Sequence, residues 1–219
     1  MFRPSDDACL YPLFVPANLF AVTSLRQLAE IASAVLFDQA LAQDCKTLAD
    51  EVESAVSQHG RIRDAERGDT WAYEVDGYGN QLFMDDANLP DLLGLPYLGC
   101  CAQDDPLYRR TRARVLSDAN PYFFKGAAAE GIGGPHVGLN MIWPMSIIMR
   151  ALTSSDDDEI RQCLHLIKTT HAGTGFMHEA FNKDDSKQFT RPWFAWANSL
   201  FGELILKLSQ ERPTLLGAA

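Results

Sequence analysis

The sequence predicts an all-α chain with one small β excursion. Three observations lead there. Apolar residues recur at helical spacing through most of the 219 positions. Residues 69–84 change character, to aromatic and β-branched residues around an Asp-Gly turn. The segments between the helical patterns are long and rich in Gly, Pro, Asp and Trp, and loops longer than about 12 residues are uncommon unless they carry function.

Residues 1–16 contain Pro4, Pro12 and Pro16 and are not expected to be helical. The run Arg3-Pro4-Ser5-Asp6-Asp7 packs a cation and two carboxylates into a place where most chains are disposable, and reads as continuing from sequence upstream. From Asn18 to Leu36 the residues Phe20, Ala21, Leu25, Leu28, Ile31, Ala32 and Val35 follow a helical repeat. A second helix runs to Ser57 with Leu41, Leu48, Val52 and Val56 on one side; the break falls near Phe37-Asp38 and Gly60 is the stop. The hairpin of residues 69–84 leads into Asp85-Asp86-Ala87-Asn88-Leu89-Pro90. One of the two Asp is expected to cap a following helix, but capping does not need two adjacent Asp plus an Asn.

Asp104–Ser117 reads as a short helix that turns Arg109, Arg110, Arg112 and Arg114 to solvent. The glycine-rich stretch Gly126–Gly138 lacks both the Gly-Lys-Ser/Thr ending and the preceding strand of a phosphate loop. An apolar helix follows Trp143-Pro144-Met145, and the next starts on the acids 156–159 and runs to about Thr170. A last helix from Trp193 to about Leu208 buries Leu200, Leu204 and Leu208. The residues beyond it, with Pro213 and Gly217, read as a frayed end.

With 47% apolar residues the chain can bury a sizeable core. Its 19 Lys and Arg against 29 Asp and Glu give a formal charge of −10, with no basic block, which argues against nucleic acid and anionic membranes as partners. A neutral polyol would be indifferent to that field. No apolar run reaches the roughly 18 residues of a membrane span, and no apolar segment stands behind a basic one at the start. Cys9, Cys45, Cys100, Cys101 and Cys163 are odd in number, lack metal-ligand spacing and read as reduced thiols.

The candidate chemistry lies in the loops. Gly173-Thr174-Gly175-Phe176-Met177-His178-Glu179-Ala180-Phe181 places a carboxylate on a glycine-rich connection, facing Phe189-Thr190-Arg191-Pro192-Trp193-Phe194-Ala195-Trp196-Ala197-Asn198. Glycines allow a sharp turn, and indoles offer flat apolar faces with a polar handle, a good setting for a polyol ring. The plainer reading of Glu179 is a surface carboxylate that caps or pairs with Arg191. His136 is either a structural hydrogen-bonder or a substrate contact. Asp85, Asp86, Asn88, His136 and Arg191 suit hydroxyl binding; Trp143, Trp193 and Trp196 suit stacking, with a core role the favoured reading of Trp196. A metal hydrolase built on His136, His178 and the Asp pairs would need ligand spacing that is missing.

Five stretches together resemble the metal-independent exo-α-1,6-mannosidases of glycoside hydrolase family 125: Phe2–Cys9, Phe83–Pro90, Ile142–Ser146, Gly173–Phe181 and Phe189–Asn198. The resemblance covers nearly the whole chain, in the family's order. It implies an (α/α)6 barrel of the six-hairpin glycosidase type, of which residues 1–219 would be the C-terminal portion, the family's N-terminal half being absent. It implies hydrolysis of terminal α-1,6-linked mannose with inversion, without metal or other cofactor, on a mannose-containing oligosaccharide. Glu179 falls on the general base, and the general acid falls on the Asp6-Asp7 pair, where Asp6 is the choice. Arg3, Asp7, Asp85, Asp86, Asn88, His136, Trp143, His178, Arg191 and Trp193 are the implied substrate contacts. The alternative is a truncated homologue that at most binds carbohydrate. Helix faces normally covered by the absent half are expected to promote self-association.

Overall fold

The computed structural model describes residues 1–217. The chain divides into two compact units: Met1–Arg3, Ala8–Phe83 and Pro90–Arg112 form the first; Pro4–Asp7, Met84–Leu89 and the chain from Ala113 on form the second.

The first unit is a pair of long helices with short β ladders. Strand β1 (Leu13–Phe14) runs directly into α1 (Val15–Ala34). Pro16 sits in the first turn of α1, so the helix begins earlier than the prolines led one to expect. A first-turn proline costs no hydrogen bond, because the N–H it lacks would be unpaired there anyway. Phe37, at φ +55°, makes the break, and Asp38 caps α2 (Gln39–His59) by accepting from the Leu41 N–H. Gly60 follows as the C-cap. The buried residues of the two helices are mostly small, Ala29 and Ala32 on α1 and Ala42, Cys45 and Ala49 on α2, and the helices pack against each other.

Beyond α2, β2 (Arg61–Ile62) pairs with β3 (Thr70–Trp71). Strands β4 (Glu74–Val75) and β5 (Gln81–Leu82) form the expected hairpin, and β1 adds to β4, giving the antiparallel order β1-β4-β5. Asp76 holds the turn by accepting from the N–H groups of Tyr78 and Asn80, with Gly77 at φ +79°. Glu74 is fully buried; it accepts from Arg3 Nε at 2.7 Å and from the N–H groups of Leu10 and Tyr11. One carboxylate thus ties down the N-terminal residues of this unit. Helix α3 (Pro106–Val115) crosses the division between the units.

No helix follows Asp85-Asp86 directly; residues 86–105 are turns, bends and irregular chain. Asp86 instead accepts from the N–H and side-chain amide of Asn88, a local turn of the kind Asp favours over helix.

The second unit holds the hairpin β6 (Phe123–Lys125) and β7 (Glu130–Ile132), then β8 (Met141–Ile142), α4 (Pro144–Leu152), α5 (Asp157–Thr170), β9 (Ala180–Asn182), β10 (Phe189–Thr190) and α6 (Ala195–Glu211). Helix α4 is the core: all its residues but Arg150 are buried, and it packs on α5 and α6. Ile160, Leu164 and Ile167 of α5 and Leu200, Leu204 and Leu208 of α6 are buried at helical spacing. Arg150 pairs with Glu130 at 2.7 Å and Glu159 at 2.8 Å. The expected frayed end is not found: Pro213–Leu215 forms a 3-10 turn and Leu215 is buried, while residues 218–219 lie outside the described ones.

The chain is 43% helical, and the expectation of an all-α chain with a single β excursion holds only in part: the described residues also carry ten short strands in four small sheets. The strands are two or three residues long, too short for alternation to register in the sequence.

Candidate active site

Every predicted site residue except Arg3 belongs to the second unit. Arg3 belongs to the first, where it is buried against Glu74 with its guanidinium over the Tyr73 ring.

One group of residues comes from the segment Pro4–Asp7, the loop Met84–Leu89 and the glycine-rich stretch. Asp85, Asp86 and Asn88 are all buried. The Asp85 N–H donates to Asn120 Oδ1, and the Ala87 N–H donates to Gly133 O. Ser5 Oγ donates to Asp86 Oδ2 at 2.8 Å, binding the Pro4–Asp7 segment to this loop. Gly134 lets the Asp86 carboxylate come close: a Cβ there would lie 3.1 Å from Oδ2. Burial pushes the Asp86 carboxyl above its ordinary pKa; donors from Asn88 and Ser5 pull the other way, and the charge of Asp7 adds to the rise. Asp6 is exposed, at φ +68°, a conformation in which Asp is one of the few tolerated residues.

Asp7 Oδ2 lies 3.8 Å from His136 Nδ1, and the His136 ring is tilted against Trp143 with centroids 6.4 Å apart. Trp143 is 2% exposed, with its Nε1 buried and without a hydrogen-bond partner among the described residues. Its ring meets Phe194 edge-on at 5.7 Å.

The other group is built by the loop after α5 and by β9, β10 and the start of α6. His171 ends α5 and accepts on Nδ1 from the N–H groups of Gly173 and Gly175. Gly173 and Gly175 both have positive φ, so the two glycines close the turn expected of them. Asn198 fastens the next residues: its Oδ1 accepts from the Met177 N–H, and its Nδ2 donates to Met177 O and Phe194 O. Glu179 is buried, and its Oε1 lies 3.3 Å from Arg191 Nη1. Arg191, itself largely exposed, lies over the Phe194 ring.

Contacts therefore run without a break from Asp7 through His136, Trp143, Phe194 and Arg191 to Glu179. Two widely separated carboxylate motifs and the aromatic residues expected beside them share one unit. His178 is buried, its ring stacked on Phe189 with centroids 3.9 Å apart and its Nδ1 3.0 Å from Pro192 O. Burial lowers its pKa, against the pull of the Pro192 and His171 carbonyls. Trp193 is half exposed, and so is Trp196, at 57%, contrary to its expected place in the core. Trp196 sits in the first turn of α6 and leans on Phe194 rather than pointing among the leucines. Phe194, the joint of the aromatic path, and Ser5, the tie to Asp86, were not singled out from sequence. Both stand inside conspicuous motifs, yet neither carries a charge or a spacing that marks it.

Among the described residues no group of three or more His, Cys, Asp and Glu is arranged to hold a metal ion, and no helix is long and apolar enough to cross a membrane. Among the described residues no cysteine forms a disulfide.

Residues 1–206 match the family model described as metal-independent alpha-mannosidase (GH125). The chain is 50% identical over 216 residues to the meiotically up-regulated gene 157 protein of Schizosaccharomyces pombe, covering 98% of this chain and 42% of that protein. It superposes with a TM-score of 0.93 at 40% identity on a metal-independent α-mannosidase of Streptococcus pneumoniae solved in a non-productive complex with α-1,6-mannobiose, covering 96% of this chain and 50% of that one. A bacterial glucoamylase solved with acarbose shares the fold at 16% identity, with a TM-score of 0.67 over 88% of this chain and 33% of its own. The chain thus spans about half the length of the relatives it matches. It belongs to glycoside hydrolase family 125, the metal-independent α-mannosidases.

Proposed function

We propose that this chain carries the reacting carboxylates of an exo-acting α-mannosidase that removes terminal α-1,6-linked mannose with inversion, and that it is the C-terminal portion of one (α/α)6 glycosidase domain. The observation that carries the reading is the unbroken path of contacts joining the Asp6-Asp7 segment to Glu179. The resemblance to a protein solved with α-1,6-mannobiose supports the linkage.

An inverting glycosidase needs a protonated carboxyl at the leaving oxygen and a carboxylate that activates water on the opposite face, about 6.5–9.5 Å away. Glu179 is the base. Arg191 supplies a counter-charge on one oxygen, Oε1, and Oε2 is the oxygen to take the water's proton. Asp6 is the acid: it is exposed to an incoming glycoside, and its left-handed backbone is the kind of strain that collects at functional sites. Asp7, His136 and Arg191 bind hydroxyls and the half-exposed Trp193 presents a ring face to the sugar; Asp85, Asp86, Asn88 and Trp143 are buried and support the site instead of facing the sugar. A mannose-containing oligosaccharide is the substrate.

The variants Glu179→Gln and Asp6→Asn test the roles. General acid–base catalysis contributes about 10²–10⁴ per group, so each change should lower kcat by that order in the presence of chelator. An activated aryl α-mannoside needs little protonation on leaving; Asp6→Asn should recover much of its rate there and Glu179→Gln should not. Proton NMR of the early reaction should show β-mannose first. If α-mannose appears first, Glu179 is not a water-activating base. If Asp7→Asn shows the rescue, the acid is Asp7.

A second reading is favoured by the coverage of only about half of each relative: a homologue that binds carbohydrate without turning it over. Saturable binding of α-1,6-mannobiose with no product would select it.

A further inference from the structure

The β9–β10 ladder becomes irregular where it reaches Glu179. Its register pairs Phe181 with Phe189 and Ala180 with Thr190. The Asn182 N–H donates to Gln188 O, so hydrogen-bonded pairs alternate as 182 with 188 and 180 with 190. The next such pair would be His178 with Pro192. Pro192 has no N–H to give, and the regular pattern fails there. Glu179 N–H reaches Arg191 O at 3.3 Å instead, Arg191 turns to φ +40°, and Met177 O accepts from Phe194, one residue out of register.

The Pro192 carbonyl is not abandoned. His178 Nδ1 stands 3.0 Å from it, with the imidazole parallel to the Phe189 ring at an interplanar angle of 2°. A side chain thus supplies the bond that the backbone cannot make. We propose that His178 is a positioning residue for Glu179: its Nδ1–H donates to Pro192 O, closes the irregular end of the ladder and so holds Arg191 in the turned conformation that lays its guanidinium on the carboxylate. The proposal rests on the reading of Glu179 as the base. Burial favours the neutral ring, and a neutral ring has only one N–H to place. The other tautomer would place its proton on Nε2, which is buried without a hydrogen-bond partner among the described residues, and leave Pro192 O unbonded.

The structural half is read without turnover. Ring nitrogen shifts of His178 should show Nδ1 protonated, and His178→Phe, which keeps a ring for the Phe189 stack and removes the donor, should move the Arg191 Nε resonance. A ring protonated on Nε2, or an unmoved Arg191, overturns the proposal. The functional half is a split in the kinetics. Displacements of about 1 Å can cost up to about 10²-fold, so His178→Phe should lower kcat by about 10–10²-fold with KM within about twofold. His178→Asn, whose amide N–H stands near the place of Nδ1, should recover part of that loss. In a Glu179→Gln background His178→Phe should have little further effect on kcat. Equal losses in the Phe and Asn variants, matched by equal falls in unfolding temperature, would make His178 merely structural. Full kcat in Glu179→Gln would sink the base assignment itself, and the tautomer would still stand on its own measurement.

Discussion

Asp86 is a fully buried carboxylate that accepts from Ser5 and Asn88, with a second acid, Asp7, acting on it. Burial is the largest influence and raises its pKa above the unfolded value. The folded protein therefore binds the Asp86 proton more tightly than the unfolded chain does. The associated stability is fully present below the unfolded pKa, is lost as pH rises towards the folded pKa, and is constant above it. Replacing Asp86 by Asn removes this titration. The stability difference between Asp86→Asn and wild type should shift in favour of the variant as pH rises from about 3.9 and then level off. Urea unfolding of both proteins across pH 3.5–8 measures it; a difference independent of pH would show that burial does not act on this carboxyl. Backbone strain is also local. Asp6 and Arg191, both candidate site residues, are among the few non-glycine residues held at positive φ, a cost that the surrounding structure must hold in place.

Two glycines separate close approach from mere flexibility among the elements of the second unit. At Gly133 an added Cβ would meet Met141 O at 2.1 Å and the Phe124 ring at 2.7 Å. Both neighbours belong to the β6 and β8 strands that position the glycine-rich stretch, and neither can give way without moving it. Gly133→Ala should destabilise by at least about 1–3 kcal/mol and loosen His136 and Trp143. Gly202 lies within α6 with nothing inside 4 Å, so Gly202→Ala should stabilise by about 0.5–1 kcal/mol through the lower entropy of the unfolded chain. Thermal unfolding of the two variants decides both; a neutral Gly133→Ala would mean that the strands do not hold the loop. Asn198 shows the same logic in polar form, one amide joining the start of α6 to the chain just before Glu179.

At the scale of the whole molecule, the first unit shows more apolar surface than its fold requires. Leu28, Ile31 and Val35 of the α1 region are 40%, 49% and 65% exposed and recur at helical spacing. Leu36, Phe37, Leu41 and Leu48 are exposed after them. Apolar side chains exposed in this number drive association where they form a patch. The chain by itself should self-associate in sedimentation velocity, and the double change Ile31→Glu with Val35→Lys should shift it towards monomer without loss of helicity. A wild-type chain that stays monomeric at high concentration would refute this.

The helices were legible because helical structure is local: a 3.6-residue apolar repeat, a break near Phe37-Asp38 and a terminal Gly60 act within a few residues of one another. The candidate chemistry was legible as residue types, since Asp6, Asp7 and Glu179 stand in motifs with few other uses. Pro16 misled because a proline's effect depends on its position in the first turn, which the neighbouring fold sets. The short ladders, the exposure of Trp196, the capture of Arg3 by Glu74 and the imidazole bond to Pro192 were out of reach. Each depends on partners brought from elsewhere in the chain by loop closure, and on burial, which no spacing within one segment encodes. The sequence by itself determined most of the helical segments and marked the candidate acids; only the tertiary structure decided which of those acids share one unit, because that proximity is made by folding across more than a hundred residues.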